Sequence, residues 1–134
     1  MDLETASALG AKLIAFLETG TPPQGLFAQD IFCDFSMPQW RLQARGIDAA
    51  VRLRSGGHPG SSTVARHRCD PTPTGFVLEV EERWQAAGED WYCRELFRAE
   101  IRDGRIAELS VYCTGDWNAA TQAQHRSEVQ LLRP

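Results

Sequence analysis

Two glutamates set into an otherwise apolar pattern, Glu82 and Glu95, are where this sequence could do chemistry. They lie in "EVEERWQAAGEDWYCRELF", residues 79–97, which reads as a β-hairpin around "AAGED". With the turn centred on Ala87-Gly88, Trp84 faces Trp91, Glu82 faces Cys93, Val80 faces Glu95 and Leu78 faces Phe97. Side chains alternate across a strand with period two, so all of these share one face. Two carboxylates in one apolar cavity raise and split their pKa values through desolvation and mutual repulsion. Such a pair provides one acid and one base near neutral pH. The competing reading has one or both glutamates at the rim or neutralised by His67, Arg66 or Arg68 on the neighbouring strand.

Other groups could join them. His67 alternates with Ala65 and Cys69 in "VARHRC" and is expected to face inward, where a histidine–carboxylate pair is a proton-transfer unit. His58 in "GGHPG" and His125 are expected at the surface. Asp34 in "FCDFS" is either a third cavity carboxylate or a strand-end acceptor. A metal site built from His67, Asp34 and a glutamate is a lesser alternative. Trp84, Trp91 and Trp117 are expected to crowd the open end of the cavity and favour a flat, aromatic or polycyclic ligand, with Phe97, Cys93 and Thr114 completing its wall.

The elements that must position these groups follow from periodicity and punctuation. Residues 3–18 space Leu3, Ala6, Leu9, Leu13, Phe16 and Leu17 as one face of a helix stopped by Gly20 and "TPP". A short helix is expected around "QGLFAQ", then a strand pair "DIFCDFSM" and "WRLQAR", then a helix over 46–55 closed by "GGHPG". Four strands follow at about 61–69, 75–85, 91–101 and 105–115, with a final helix from near Trp117. Asp103-Gly104 signals a type I′ hairpin. Carried through that turn, the register pairs Ile101 with Ile106, Glu95 with Tyr112 and Cys93 with Thr114. Tyr112 would then point inward, its hydroxyl able to hold a substrate oxygen or to find an ordinary buried partner. The opposite face would hold Val77, Tyr92, Leu96, Leu109 and Val111, an apolar surface that a second copy of the chain would cover. Segregated helices and an antiparallel sheet define an α+β class.

Composition bounds the rest. A chain of 134 residues with 24% charged and 43% hydrophobic residues has the balance of one soluble globular domain, 1–134. Its net charge of −4 argues against nucleic acid or an anionic membrane as partner. No apolar run reaches the roughly 18 residues of a membrane span, and the acidic start of the chain does not resemble a secretory signal. The four cysteines are widely spaced without a C-x-x-C pair, which fits free thiols in a reducing cytoplasm rather than a zinc site.

The stretches "GLFAQDIFCDFS", "GIDAAVRLR" and "FRAEIRDGRIAELSVYCTGDW" resemble the nuclear transport factor 2-like superfamily, and within it the SnoaL-like polyketide cyclase group. The resemblance covers nearly the whole chain. It implies a conical barrel, a strongly curved sheet wrapped over N-terminal helices around an internal pocket, dimerised through the outer sheet face. Relatives include cyclases, isomerases, dehydratases, epoxide hydrolases and non-catalytic binding domains, so the fold alone does not choose a reaction. Ketosteroid isomerases carry their base about one position from Asp34, but Phe16 stands where a tyrosine would be needed. Epoxide hydrolases of this fold use an aspartate–arginine–aspartate set. Here the matching strand offers Val80, Glu82 and Trp84 with no arginine, and Thr114 holds the second carboxylate position. Asp116, two residues on, is expected to cap the last helix. The expectation is a cofactor-independent general acid–base enzyme (cyclase, isomerase or dehydratase in type) acting on a small apolar molecule. Its catalytic groups would be Glu95, Glu82, His67, Asp34 and Tyr112. The alternative is a non-catalytic binding or dimerisation module of the same fold.

Overall fold

The computed structural model describes residues 1–134. The first helix, α1 (Leu3–Thr19), is capped by Asp2, whose carboxylate accepts from the Thr5 amide at 2.8 Å. It ends at Gly20, whose φ of 77° gives the left-handed turn that glycine adopts without strain. Its buried stripe of Ala6, Leu9, Leu13, Phe16 and Leu17 packs on the sheet. Next come β1 (Phe27–Met37) and β2 (Trp40–Arg45), then α2 (Ile47–Gly57). The meander follows as β3 (Thr63–Pro71), β4 (Gly75–Ala86), β5 (Glu89–Arg102) and β6 (Arg105–Cys113), closed by α3 (Ala119–Glu128). No short helix forms around "QGLFAQ". Leu26, Phe27 and Ala28 are buried, and β1 already begins at Phe27.

The six strands form one sheet in the order β2-β1-β6-β5-β4-β3. It is curled rather than closed into a barrel, with β2 and β3 as free edges. All neighbours are antiparallel except β1 and β6, which run parallel. The sheet is therefore mixed, where an antiparallel one was expected. The core lies between its concave face and the two helices, with α1 over β3 and β4 and α2 over β1 and β2.

The β4–β5 register is the expected one, with Trp84 opposite Trp91, Glu82 opposite Cys93, Val80 opposite Glu95 and Leu78 opposite Phe97. The β5–β6 register departs from expectation after the turn. Ile101 pairs with Ile106, but Glu100 pairs with Glu108, so Ala107 is an extra residue in β6. That bulge reverses the faces beyond it. Leu109 and Val111 turn inward, and Cys113 rather than Tyr112 stands opposite Glu95. Tyr112 moves to the outer face, 58% exposed.

Candidate functional site

The concave face brings Glu82 and Glu95 together, buried at 0% and 3% exposure. The cation that meets them is Arg54, from α2. Ala50 and Arg54 stand four residues apart, on one side of that helix, the side turned to the core. The Arg54 guanidinium spans both oxygens of Glu82, with Nη1 donating to Oε2 at 3.0 Å, and its Nη2 also donates to the Leu17 carbonyl at 2.9 Å. Ser62 adds a hydroxyl donor to Glu82 Oε1 at 2.8 Å. Glu95 is less well served: Arg54 Nη1 lies 3.6 Å from its Oε1.

The two carboxyls accordingly part company. Burial penalises the Glu82 carboxylate, yet hydrogen bonds from Glu95 and Arg54 and the Arg54 charge outweigh it and lower its pKa to about 2. Burial raises the Glu95 pKa well above its ordinary value, and the neighbouring Glu82 charge raises it further, while Arg54 only partly opposes them. Glu82 is the ionised anchor, and Glu95 keeps its proton. The Cys93 thiol, beside Cys113 and fully buried, is held protonated; its Sγ lies 3.5 Å from Glu95 Oε1.

His58 completes the cluster. It follows the end of α2, is 9% exposed, and packs at a tilt of 31° against Trp84 with ring centroids 4.3 Å apart. Nε2 lies 3.1 Å from Asp116 Oδ1, and because a carboxylate only accepts, Nε2 carries the proton. Nδ1 faces inward, 3.6 Å from Glu82 Oε2, with no hydrogen-bond partner. Asp116 therefore does not cap α3. Asn118 does, accepting from the Thr121 amide at 2.8 Å.

Glu95, Arg54 and His58 form the polar end of a small cavity of about 60 Å³. The rest of the lining is almost wholly apolar, including Phe16, Phe27, Phe35, Phe97, Leu109 and Val111. Glu82 stands behind Arg54 and does not line it.

Several expected participants lie elsewhere. His67 is exposed on the edge strand β3, opposite Val80, in a shallow groove beside Gly10 and Ala11 of α1. Asp34 sits on the outer face of β1 and is bound by Arg41 of β2, which lowers its pKa. With His67 and Asp34 apart from each other and from the glutamates, the metal set drawn from them does not assemble. Arg66 and Arg68 pair with Glu81 and Asp70 at the surface and leave the inner glutamates alone. Tyr112 points outward. Thr114 is exposed and closes the strand end, its hydroxyl accepting from the Arg94 amide at 3.0 Å. Trp84 and Trp91 stack on each other at 6.4 Å, and Trp117 packs edge-on to Tyr92 at 5.5 Å, so none of these three walls the cavity. Phe97 does, and Cys93 lies just behind it, within the cluster.

Arg54, His58 and Asp116 are the site residues that sequence reasoning missed. The spacing of Arg54 from Ala50 on the apolar side of α2 was a readable sign of an inward cation. Nothing periodic marks His58, which follows the helix in a glycine-rich loop.

No family model matches the sequence, and no curated protein matches it. Solved structures do. An NTF2-like protein from Anabaena variabilis superposes with a TM-score of 0.70 at 18% identity, over 85% of this chain and 90% of that one. An LEH-like epoxide hydrolase from M. tuberculosis gives 0.64 at 14% identity, over 82% and 83%. A Kribbella flavida protein provisionally described as a ketosteroid isomerase gives 0.61 at 18% identity, over 98% and 92%. The chain has the NTF2-like fold, the α+β class whose pocket lies between a curled sheet and its helices. At such identities the likeness is one of fold.

Proposed function

We propose that the protein is a cofactor-independent acid–base enzyme for a small, largely apolar molecule bearing one hydrogen-bond-accepting oxygen, such as a ketone, an enone or an epoxide. One observation carries this reading: Glu95, 3% exposed and with its pKa raised well above the ordinary value, stands beside Arg54 and His58 at the polar end of a largely apolar cavity. Its single proton, directed at Glu82 in this structure, turns to a substrate oxygen on binding, at a pH where an exposed carboxyl could not donate. Arg54, 3.6 Å away, stabilises the carboxylate left when the proton departs, and that carboxylate then takes the substrate's α-proton, which restores the Glu95 carboxyl. Glu82 holds Arg54 in position and takes no part in the transfer. His58, fixed by Asp116, shapes the cavity mouth.

Hydrogen–deuterium exchange tests this. Small cyclic ketones in deuterated buffer should exchange their α-protons with the parent protein, and Glu95→Gln should lose that exchange while still binding the ketone in ligand-observed NMR. Equal exchange by both proteins would remove the reading. Binding by both with exchange by neither would favour the second reading, a binding module, which the full engagement of Arg54 with Glu82 and Leu17 supports.

We also propose that a second copy covers the outer face of the sheet. Its support is the cross-strand pair Leu96 and Tyr112 on the inner strands β5 and β6, exposed at 37% and 58%. The bulge has taken Leu109 and Val111 away from that face, so the covered patch is smaller than the sequence suggested.

A further inference from the structure

The inner cluster has a geometry that proton transfer does not require. His58 Nδ1, a Glu82 oxygen, Cys93 Sγ and a Glu95 oxygen all lie within 4.8 Å of one another. Three of the separations are 3.6 Å from Nδ1 to Glu82 Oε2, 4.0 Å from Sγ to Glu82 Oε2, and 3.5 Å from Sγ to Glu95 Oε1. Zinc bound tetrahedrally at ordinary metal–nitrogen, metal–oxygen and metal–sulfur lengths sets its donors roughly 3.3–3.7 Å apart. The remaining pairs lie no more than 4.8 Å apart, so the donors have to close by about 1 Å at most to meet that.

A second, independent observation points the same way. The His58 side chain is 8% exposed, and its Nδ1 is a buried nitrogen without a partner, aimed into the cluster. Leaving such an atom unsatisfied is costly, and a native structure rarely does so without a reason. Its other nitrogen is bound to the Asp116 carboxylate at 3.1 Å. Metal-binding histidines are commonly oriented in this way, by a carboxylate on the ring nitrogen away from the metal.

We propose that His58 Nδ1, Glu82 Oε2, Cys93 Sγ and Glu95 form a tetrahedral site for a thiophilic divalent cation of the zinc class. On binding, the Cys93 thiol and the Glu95 carboxyl give their protons to solvent. Arg54 releases Glu82 Oε2 and keeps Oε1 and the Leu17 carbonyl. Two metal charges and one guanidinium then balance two carboxylates and one thiolate, so the buried cluster stays neutral. With the cation in place Glu95 is a ligand, and the acid–base function proposed above is switched off. The binding itself does not depend on that function.

The test uses the full chain, stripped with a chelator and titrated with cadmium chloride, read by calorimetry and by the ultraviolet cadmium–thiolate charge-transfer band. The parent should bind one cadmium per chain with the band. Cys93→Ser should lose the band, and Cys69→Ser, whose thiol lies against α1, should keep it. Asp116→Asn should keep the band and bind about 10–100-fold more weakly, because the carboxylate that fixes His58 and raises its basicity becomes a neutral amide. Asp116 is 37% exposed at its side chain, so this variant tests the site even if Cys93→Ser fails to fold. Absence of tight binding by the parent, a band that survives Cys93→Ser, or unchanged affinity in Asp116→Asn would each overturn the proposal. No turnover is measured, so its failure leaves the acid–base reading standing, and the reverse holds too.

Discussion

Glu82 and Glu95 are the same residue type on adjacent strands of one hairpin, and Arg54 makes them opposites. Their contributions to stability run in opposite directions with pH. The Glu82 pKa is lowered, so its contribution is in place above the ordinary carboxylate range and is lost as pH falls toward 2. The Glu95 pKa is raised, so its contribution is complete in acid and is lost as pH climbs toward the folded value. Glu95→Gln keeps an amide donor toward Glu82 without the ionisable proton. Its melting temperature should exceed the parent's by a margin that grows from acid to neutral pH and above; thermal melts across that range check this, and a margin independent of pH would contradict it. Removing the cation should do the reverse. Arg54→Met leaves Glu82 charged and unpaired in the core and should cost about 3–5 kcal/mol in chemical denaturation.

At the scale of elements, hairpin chemistry was the most readable part of the sequence. The β4–β5 register followed from its turn, and Ala87 and Gly88 do adopt the positive φ values, 53° and 75°, that a two-residue type I′ turn requires. Ala87 is exposed and holds a left-handed φ that costs a residue with a Cβ. Ala87→Asn should therefore stabilise the protein by roughly 1 kcal/mol, measured by denaturant titration. The β5–β6 turn was equally readable, yet the face assignment beyond it failed. A turn fixes the pairing beside it, while a bulge a few residues on resets everything further out. The signal was present in "RIAELSVYC": Ala107, Leu109, Val111 and Cys113 alternate in one phase and Ile106 stands out of it. Reading that shift would have placed Tyr112 outside and Cys113 inside. His58 and Asp116 stayed hidden for another reason, since both lie in connections where no period applies. Asp34 was one residue off phase, and the face it received offered Arg41 instead of the cavity.

Across the whole molecule, Leu96 and Tyr112 give the proposed second copy a definite address. Sedimentation velocity should show a dimer for the parent and a monomer for Leu96→Glu, since a carboxylate at the patch centre must desolvate on association. A parent that stays monomeric at every concentration would remove the outer-face partner. The parallel pairing of β1 with β6 bears on how the chain is made. The two strands come from opposite ends of the sequence, with Phe35 beside Val111. A ribosome delivers β1 long before its neighbour exists, so the sheet stays in two pieces until residues 105–113 have emerged. The β4–β5 hairpin can close on its own by then, with both carboxyls on a face that has no cover and β1 still elsewhere. Burial, and with it the difference between the two glutamates, arrives only when the late strand joins the halves, so the hairpin that carries the pair is made well before the surroundings that set the two apart.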